Sequence, residues 1–147
     1  MIILDNKFAK SEYHEDGNYI LFEYKKFGTS VAFREAWNKT GEVVIEKQCN
    51  KYVSDSRRMA VLSPADQKWF SEEWSPRVRF LVPKDTFTAI VLDKGAFTEM
   101  SAKSISQNIT GQNMTHEIAV IFEFFKDIEA AQDWVKNVEH QIEPLAR

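Results

Sequence analysis

A chain of 147 residues that is 44% apolar, 28% charged and 13% aromatic has the size of one globular domain and too much bulky core material to stay disordered. Its net charge of −3 and pI of about 5.7 supply no global positive field, which argues against nucleic acid and against an anionic membrane surface as partners. The single cysteine, Cys49, excludes an internal disulfide and fits a reducing compartment, so the cytoplasm is the expected location.

The first eight residues carry Ile2, Ile3 and Leu4 and then Asp5, too short an apolar run for a signal peptide, and no later run is long enough to span a membrane. Residues 7–14 and 18–26 are rich in aromatic and aliphatic side chains and are separated by Glu15-Asp16-Gly17, so they read as a hairpin that opens the fold with two antiparallel strands. Thr29 or Ser30 can cap a helix with Phe33, Trp37 and Val44 on one stripe, flanked by Ala36, Val43 and Lys47 and ending near Gln48. Gly41 interrupts that helix at a cost of about 1 kcal/mol relative to alanine. Residues 51–55 form a short strand that turns outward into Ser56-Arg57-Arg58.

Ser63-Pro64-Ala65-Asp66 is a complete helix start, with Ser63 as N-cap, Pro64 where a missing N–H does no harm, and Asp66 in the first turn. Phe70, Trp74, Val78 and Leu81 recur at helical spacing, while Pro76 disfavours helical geometry at Ser75 and predicts two helical pieces. Residues 88–92 read as a buried strand, 97–109 as a polar amphipathic helix ending at Gly111, and 117–124 as a strand rich in Ile, Val and Phe. Asp127 then caps a terminal helix that turns Ile128, Ala131, Trp134, Val135 and Val138 inward. The resulting order, ββαβαβαβα over a single domain of residues 1–147, is an α/β fold: a mixed, mostly parallel sheet of about five strands with one antiparallel edge and helices packed against it. Ligands of such sheets sit beyond the C-terminal strand ends, where the loop 55–63 lies.

Tyr52-Val53-Ser54-Asp55-Ser56-Arg57, Ser63-Pro64-Ala65-Asp66-Gln67-Lys68-Trp69 and Trp74-Ser75-Pro76-Arg77, together with Phe122, Phe124, Phe125 and the segment Glu129-Ala130-Ala131-Gln132-Asp133-Trp134, resemble the STAS-like domains, and among them the SpoIIAA-like (anti-sigma-factor-antagonist-like) proteins. The resemblance covers the chain from about Tyr19 onward. It implies a STAS-like fold and a non-catalytic regulatory module that binds a protein partner, or itself as a homodimer, through the loop after the third strand and the helix that follows. It also places Ser56, preceded by Asp55, at the family's phospho-acceptor position. Here Arg57, Arg58 and Met59 follow, where the family has a small residue and a glycine that open the helix directly.

Asp55, Ser56, Arg57, Arg58, Trp69 and Arg77 are therefore the candidate interaction or ligand surface. Arg57, Arg58, Arg77 and Arg79 beside Trp69 and Trp74 suit an anionic ligand or an acidic partner, but pairing of those arginines with Asp55 and Asp66 in a structural ion-pair network is the stronger reading. Trp69 falls beside the Phe70 stripe, at a groove or simply at the helix flank. His14, His116 and His140 lack metal-site spacing, so neither metal nor cofactor is expected, and Cys49 reads as a buried inert thiol. Glu72 and Glu73 point about 100° apart on a helix and cannot work as an acid and base pair. With no Gly-x-Ser-x-Gly, phosphate-binding glycine loop or dinucleotide fingerprint, an enzyme is not expected. The second reading is a carrier of a small molecule, a nucleotide or a lipid, in a pocket lined by the aromatic-rich sheet and helix edges.

Overall fold

In a computed structural model that describes residues 1–25, 28–59, 62–96 and 120–141, a six-stranded sheet carries its strands in sequence order. The first three, β1 (Ile2–Asp5), β2 (Ala9–His14) and β3 (Tyr19–Tyr24), pair antiparallel. The next three, β4 (Lys51–Asp55), β5 (Thr86–Val91) and β6 (Val120–Phe125), run parallel to β3 and to one another. The β2–β3 turn closes through the Asn18 N–H on the Glu15 carbonyl at 3.1 Å, with Gly17 at φ +91° and Asn18 at φ +50°, conformations that glycine and asparagine adopt most readily.

The expectation of two opening strands in a sheet of about five is corrected by β1. It zips onto β2, and the N-terminal ammonium donates to the Tyr13 carbonyl at 3.0 Å. Only Leu4 of its residues is buried, so a strand of this length leaves no alternation to read.

The helix α1 (Ser30–Lys47) starts where the Thr29 hydroxyl accepts the Ala32 N–H at 3.1 Å and ends at Gln48 in the left-handed region, φ +51°. Its buried stripe is Phe33, Ala36, Trp37 and Val44, together with Thr40 and Gly41. Thr40 is satisfied twice, by the Ala36 carbonyl and by Ser11 of β2, each at 2.8 Å. Gly41 is a packing choice: a Cβ there would lie 3.0 Å from the Trp74 indole nitrogen.

Ser63 caps α2 (Pro64–Trp69) by accepting the Asp66 N–H at 3.1 Å. The expected interruption at Pro76 takes another form. Phe70–Trp74 widens into a π-helical turn, the Ser75 N–H reaching back to the Phe70 carbonyl, and α3 (Ser75–Leu81) continues without a break. Pro76 has no N–H to offer and its ring crowds the carbonyl four residues earlier; widening the preceding turn absorbs both defects. The wide turn also advances the buried stripe, so that Phe70, Trp74 and Val78 are followed by Val82, 3% exposed, while Leu81 is 44% exposed.

Strand alternation divides the core into two layers. Phe22, Tyr24 and Tyr52 meet Phe33 and Trp37 of α1 and Trp74 and Val78 of the second helical run on one face. Tyr19, Val53, Ala89 and Val91 meet Ala131 and Val135 of α4 (Ile128–Gln141) on the other. Asp127 opens α4 by accepting the Glu129 N–H at 3.0 Å. The expected helix 97–109, its end at Gly111, and residues 117–119 of the expected last strand lie outside the described residues. Among the described residues no helix is long and apolar enough to cross a membrane.

Replacing Gly41 tests the α1–π contact. Gly41→Ala should fail to deliver the roughly 1 kcal/mol that helix propensity offers. Gly41→Val should destabilise by about 1–3 kcal/mol through overpacking on Trp74, as measured by urea unfolding.

Candidate functional site: a cavity between the sheet and the π-widened helix

Between β4–β6 and the run from α2 to α3 lies a cavity of about 310 Å³, at the lower end of the range typical of ligand clefts. Its roof follows from helix spacing, because Ser75, Val78, Arg79 and Val82 fall on one face and join Phe70 and Trp74 of the wide turn. Its floor follows from strand alternation. Phe87, Ala89 and Val91 of β5 are buried toward α4, and Thr86, Thr88 and Ile90 look the other way, into the cavity. Tyr52 and Ser54 of β4 and Val120 and Phe122 of β6 extend that floor to either side. Small hydroxyl side chains at 54, 86 and 88 stand where larger residues would fill the space.

Tyr24, Trp37, Tyr52, Phe70, Trp74 and Phe122 give the walls an aromatic share. Trp37 stacks on Phe22 at 4.0 Å and meets Trp74 edge-on at 5.0 Å, and Phe70 stacks on Trp74 at 4.9 Å. Burial raises the phenol pKa of Tyr52 and of Tyr24, so both remain neutral. Tyr24 accepts the Trp37 indole N–H at 3.1 Å. Burial also pushes the Cys49 thiol up to about 11, which leaves little nucleophilic thiolate at neutral pH. Among the described lining residues Arg79 alone carries a charge.

The residues singled out from sequence separate into two places. At the C-terminal end of β4, Asp55 is buried and held by Arg57 through a two-point contact, Nε at 2.9 Å and Nη2 at 2.7 Å. The Asp55 carboxylate in turn raises the Arg57 pKa. Ser56 donates its N–H to the Val91 carbonyl at 2.9 Å, rests its hydroxyl 3.2 Å from that of Ser54, and lines the cavity with Met59. Arg58 is exposed and reaches only to 4.0 Å from Glu23.

Trp69 and Arg77 belong elsewhere, against α1. Trp69 meets Phe33 edge-on at 5.9 Å beneath the Arg34 guanidinium, and Arg77 donates to Asn38 at 3.4 Å. Of the proposed ion-pair network, Asp55–Arg57 is present. Asp66 instead receives Ser30 at 2.7 Å and Arg34 at 3.2 Å, joining α1 to α2. Sequence reasoning missed Tyr52, Ser75, Thr86 and Thr88 as cavity residues and assigned Arg79 to a surface patch. The one available signal was the pair of threonines at alternate positions leading into an apolar strand.

No family model, curated protein or solved structure matches the chain. Among the described residues no group of three or more His, Cys, Asp and Glu side chains is placed to hold a metal ion.

Burial raises the Asp66 pKa, but the hydrogen bonds from Ser30, Arg34 and Ser63 outweigh it and the net shift is downward. The stability this carboxylate contributes is therefore complete above the ordinary aspartate value of about 4 and is lost as pH falls through its lowered folded value. Asp66→Ala should destabilise at neutral pH by about 1–3 kcal/mol. Asp66→Asn should show a shallower loss of stability on acidification than the parent, read from urea midpoints between neutrality and acid.

Proposed function

We propose that this domain is a non-catalytic binding module of the STAS-like type that holds a small molecule with an apolar body between its sheet and its π-widened helix. The observation that carries the proposal is the cavity itself: aromatic walls, a hydroxyl-dotted floor, and volume of the order that ligand sites use. The π-helical turn that shapes the roof is a local irregularity of the kind found often at functional sites. The STAS-like assignment is supported by parallel strands β3 to β6 in sequence order with helices on both faces. A cytoplasmic location belongs to the same reading and rests on the lone buried thiol.

A second reading, recognition of a protein partner or a second copy through the loop after β4, is supported by Arg58, exposed and loosely paired. The two are compatible, because Ser56 and Met59 belong both to that loop and to the cavity wall, so an occupant would touch the residues beside the partner surface. Arg58→Glu is the clean probe of this second reading, since Arg57 is engaged with Asp55. Partner affinity unchanged by Arg58→Glu would remove the loop from consideration.

Uncharged 1-octanol tests the cavity. The proposal expects a saturable change in tryptophan fluorescence on titration, with Trp37 and Trp74 in the wall reporting occupancy. Thr88→Phe, which fills the floor, should keep the near-ultraviolet circular dichroism of the fold and weaken that response at least tenfold. Absence of a saturable response in the parent chain would overturn the reading.

A further inference from the structure

Among the described lining residues, Arg79 is the charge that an apolar ligand leaves unexplained. The residue is half-buried on α3, its Nε is shielded from solvent, and no hydrogen-bond partner for that atom exists among the described residues. Buried N–H groups are nearly always satisfied, and one attached to a cation is the most expensive kind to leave unmet. Its neighbours on the helix face, Ser75, Val78 and Val82, offer no charge to balance it, nor does any other described lining residue.

We infer that the ligand is an amphipathic monocarboxylate, its apolar body between the aromatic walls and its carboxylate on the Arg79 guanidinium. This rests on the reading of the cavity as a small-molecule site and names the chemistry of what enters it. A planar carboxylate matches the guanidinium fork, two parallel N–H groups on two oxygens. A single arginine balances one negative charge, and a phosphate ester carrying close to two would need a second cation that the described wall lacks. The hydroxyls fit the same assignment. Tyr52, kept neutral by burial, can donate to a carboxylate oxygen, as can Ser75 and Thr86.

The position of Arg79 fixes the orientation. It lies in the last turn of α3, just ahead of the link that leads from Leu81 to Thr86. The carboxylate therefore sits at the end of the cavity marked by Thr86, and the apolar body extends past Thr88 and Ile90 toward Ser56 and Met59. Charge is read at one end of the sheet, and the loop after β4 meets the uncharged tail.

The test compares octanoate with 1-octanol, equal in chain length and different in charge, by isothermal calorimetry and tryptophan fluorescence on the parent chain, Arg79→Met and Arg79→Lys. The parent should bind octanoate at least about tenfold tighter than 1-octanol, as a charge-assisted pair in a shielded site provides. Arg79→Met keeps the apolar stem and should erase that preference while retaining 1-octanol binding. Arg79→Lys keeps the charge without the fork and should retain part of the preference, a readout that stands even if the methionine variant fails to fold. Equal affinity of the parent chain for the two ligands, or a preference that survives Arg79→Met, would overturn the carboxylate assignment and leave the apolar site standing. Binding of neither ligand would overturn both.

Discussion

Trp74 donates its indole N–H to the main-chain carbonyl of Trp37 at 2.7 Å, and that bond depends on a glycine. A donor reaches a helix-interior carbonyl, already engaged by its own ladder, only if the partner chain comes very close, and Gly41, one turn along α1, supplies the missing side-chain volume. The same Trp37 stacks on Phe22 and gives its own N–H to Tyr24. One tryptophan therefore ties β3, α1 and the π-widened turn together, using both its face and its polar atoms. The usual penalty for glycine in a helix is offset here by a buried hydrogen bond and an aromatic contact at 5.0 Å.

That tie places the cavity. Pulling Trp74 toward α1 anchors the front of the helical run, while the wide turn after Phe70 turns the later residues outward by part of a step, so that Val78, Arg79 and Val82 face the sheet. Helix and sheet then meet where Trp74 packs edge-on against Tyr52 and leave the cavity over β5 and β6, where Thr86 and Thr88 are the small floor side chains. Packed interiors seldom keep such gaps by accident. A dry void of 310 Å³, scaled at the cost found for truncated cores, would weigh about 7 kcal/mol, comparable with the whole net stability of a domain.

How legible this was in the sequence depends on the range of the interaction. Strand β4, the Ser63 and Asp127 caps, the Asp-Gly turn and the buried stripe of α1 were readable because each is encoded by residues a few positions apart. The strand β1 was not, since its stability comes from edge pairing with β2 and from one buried leucine. Pro76 signalled a disturbance, but whether a helix breaks, kinks or widens at a proline is decided by what anchors its two sides. Trp74 is anchored on Trp37 and Val78 in the core, and with both sides held, widening is the only relief left. From that turn follows the exchange of Leu81 for Val82. The predicted working surface runs along the chain from Asp55 to Arg77, yet its members separate, because Asp55 to Arg58 stay at the C-terminal end of β4 while α2 reaches α1, where Asp66 and Trp69 find Arg34.

The composition of the floor decides what the gap can hold. Thr86 and Thr88 occupy positions where valine, equal in shape, would serve a purely apolar core and suit a strand equally well. A hydroxyl in a closed apolar core is a liability unless bonded. Phe122, which is 46% exposed, borders the cavity, and a hydroxyl on a wall that solvent reaches is satisfied without a protein partner, so the gap need not be dry and its cost falls below that of a truncated core. Solvent held by a few hydroxyls between aromatic walls is easily displaced by an apolar body that still leaves those hydroxyls a partner. The same features that make the space tolerable when unliganded thus favour occupation by a molecule apolar along its length and polar at one end, which is also the polarity that Arg79 imposes on the cavity.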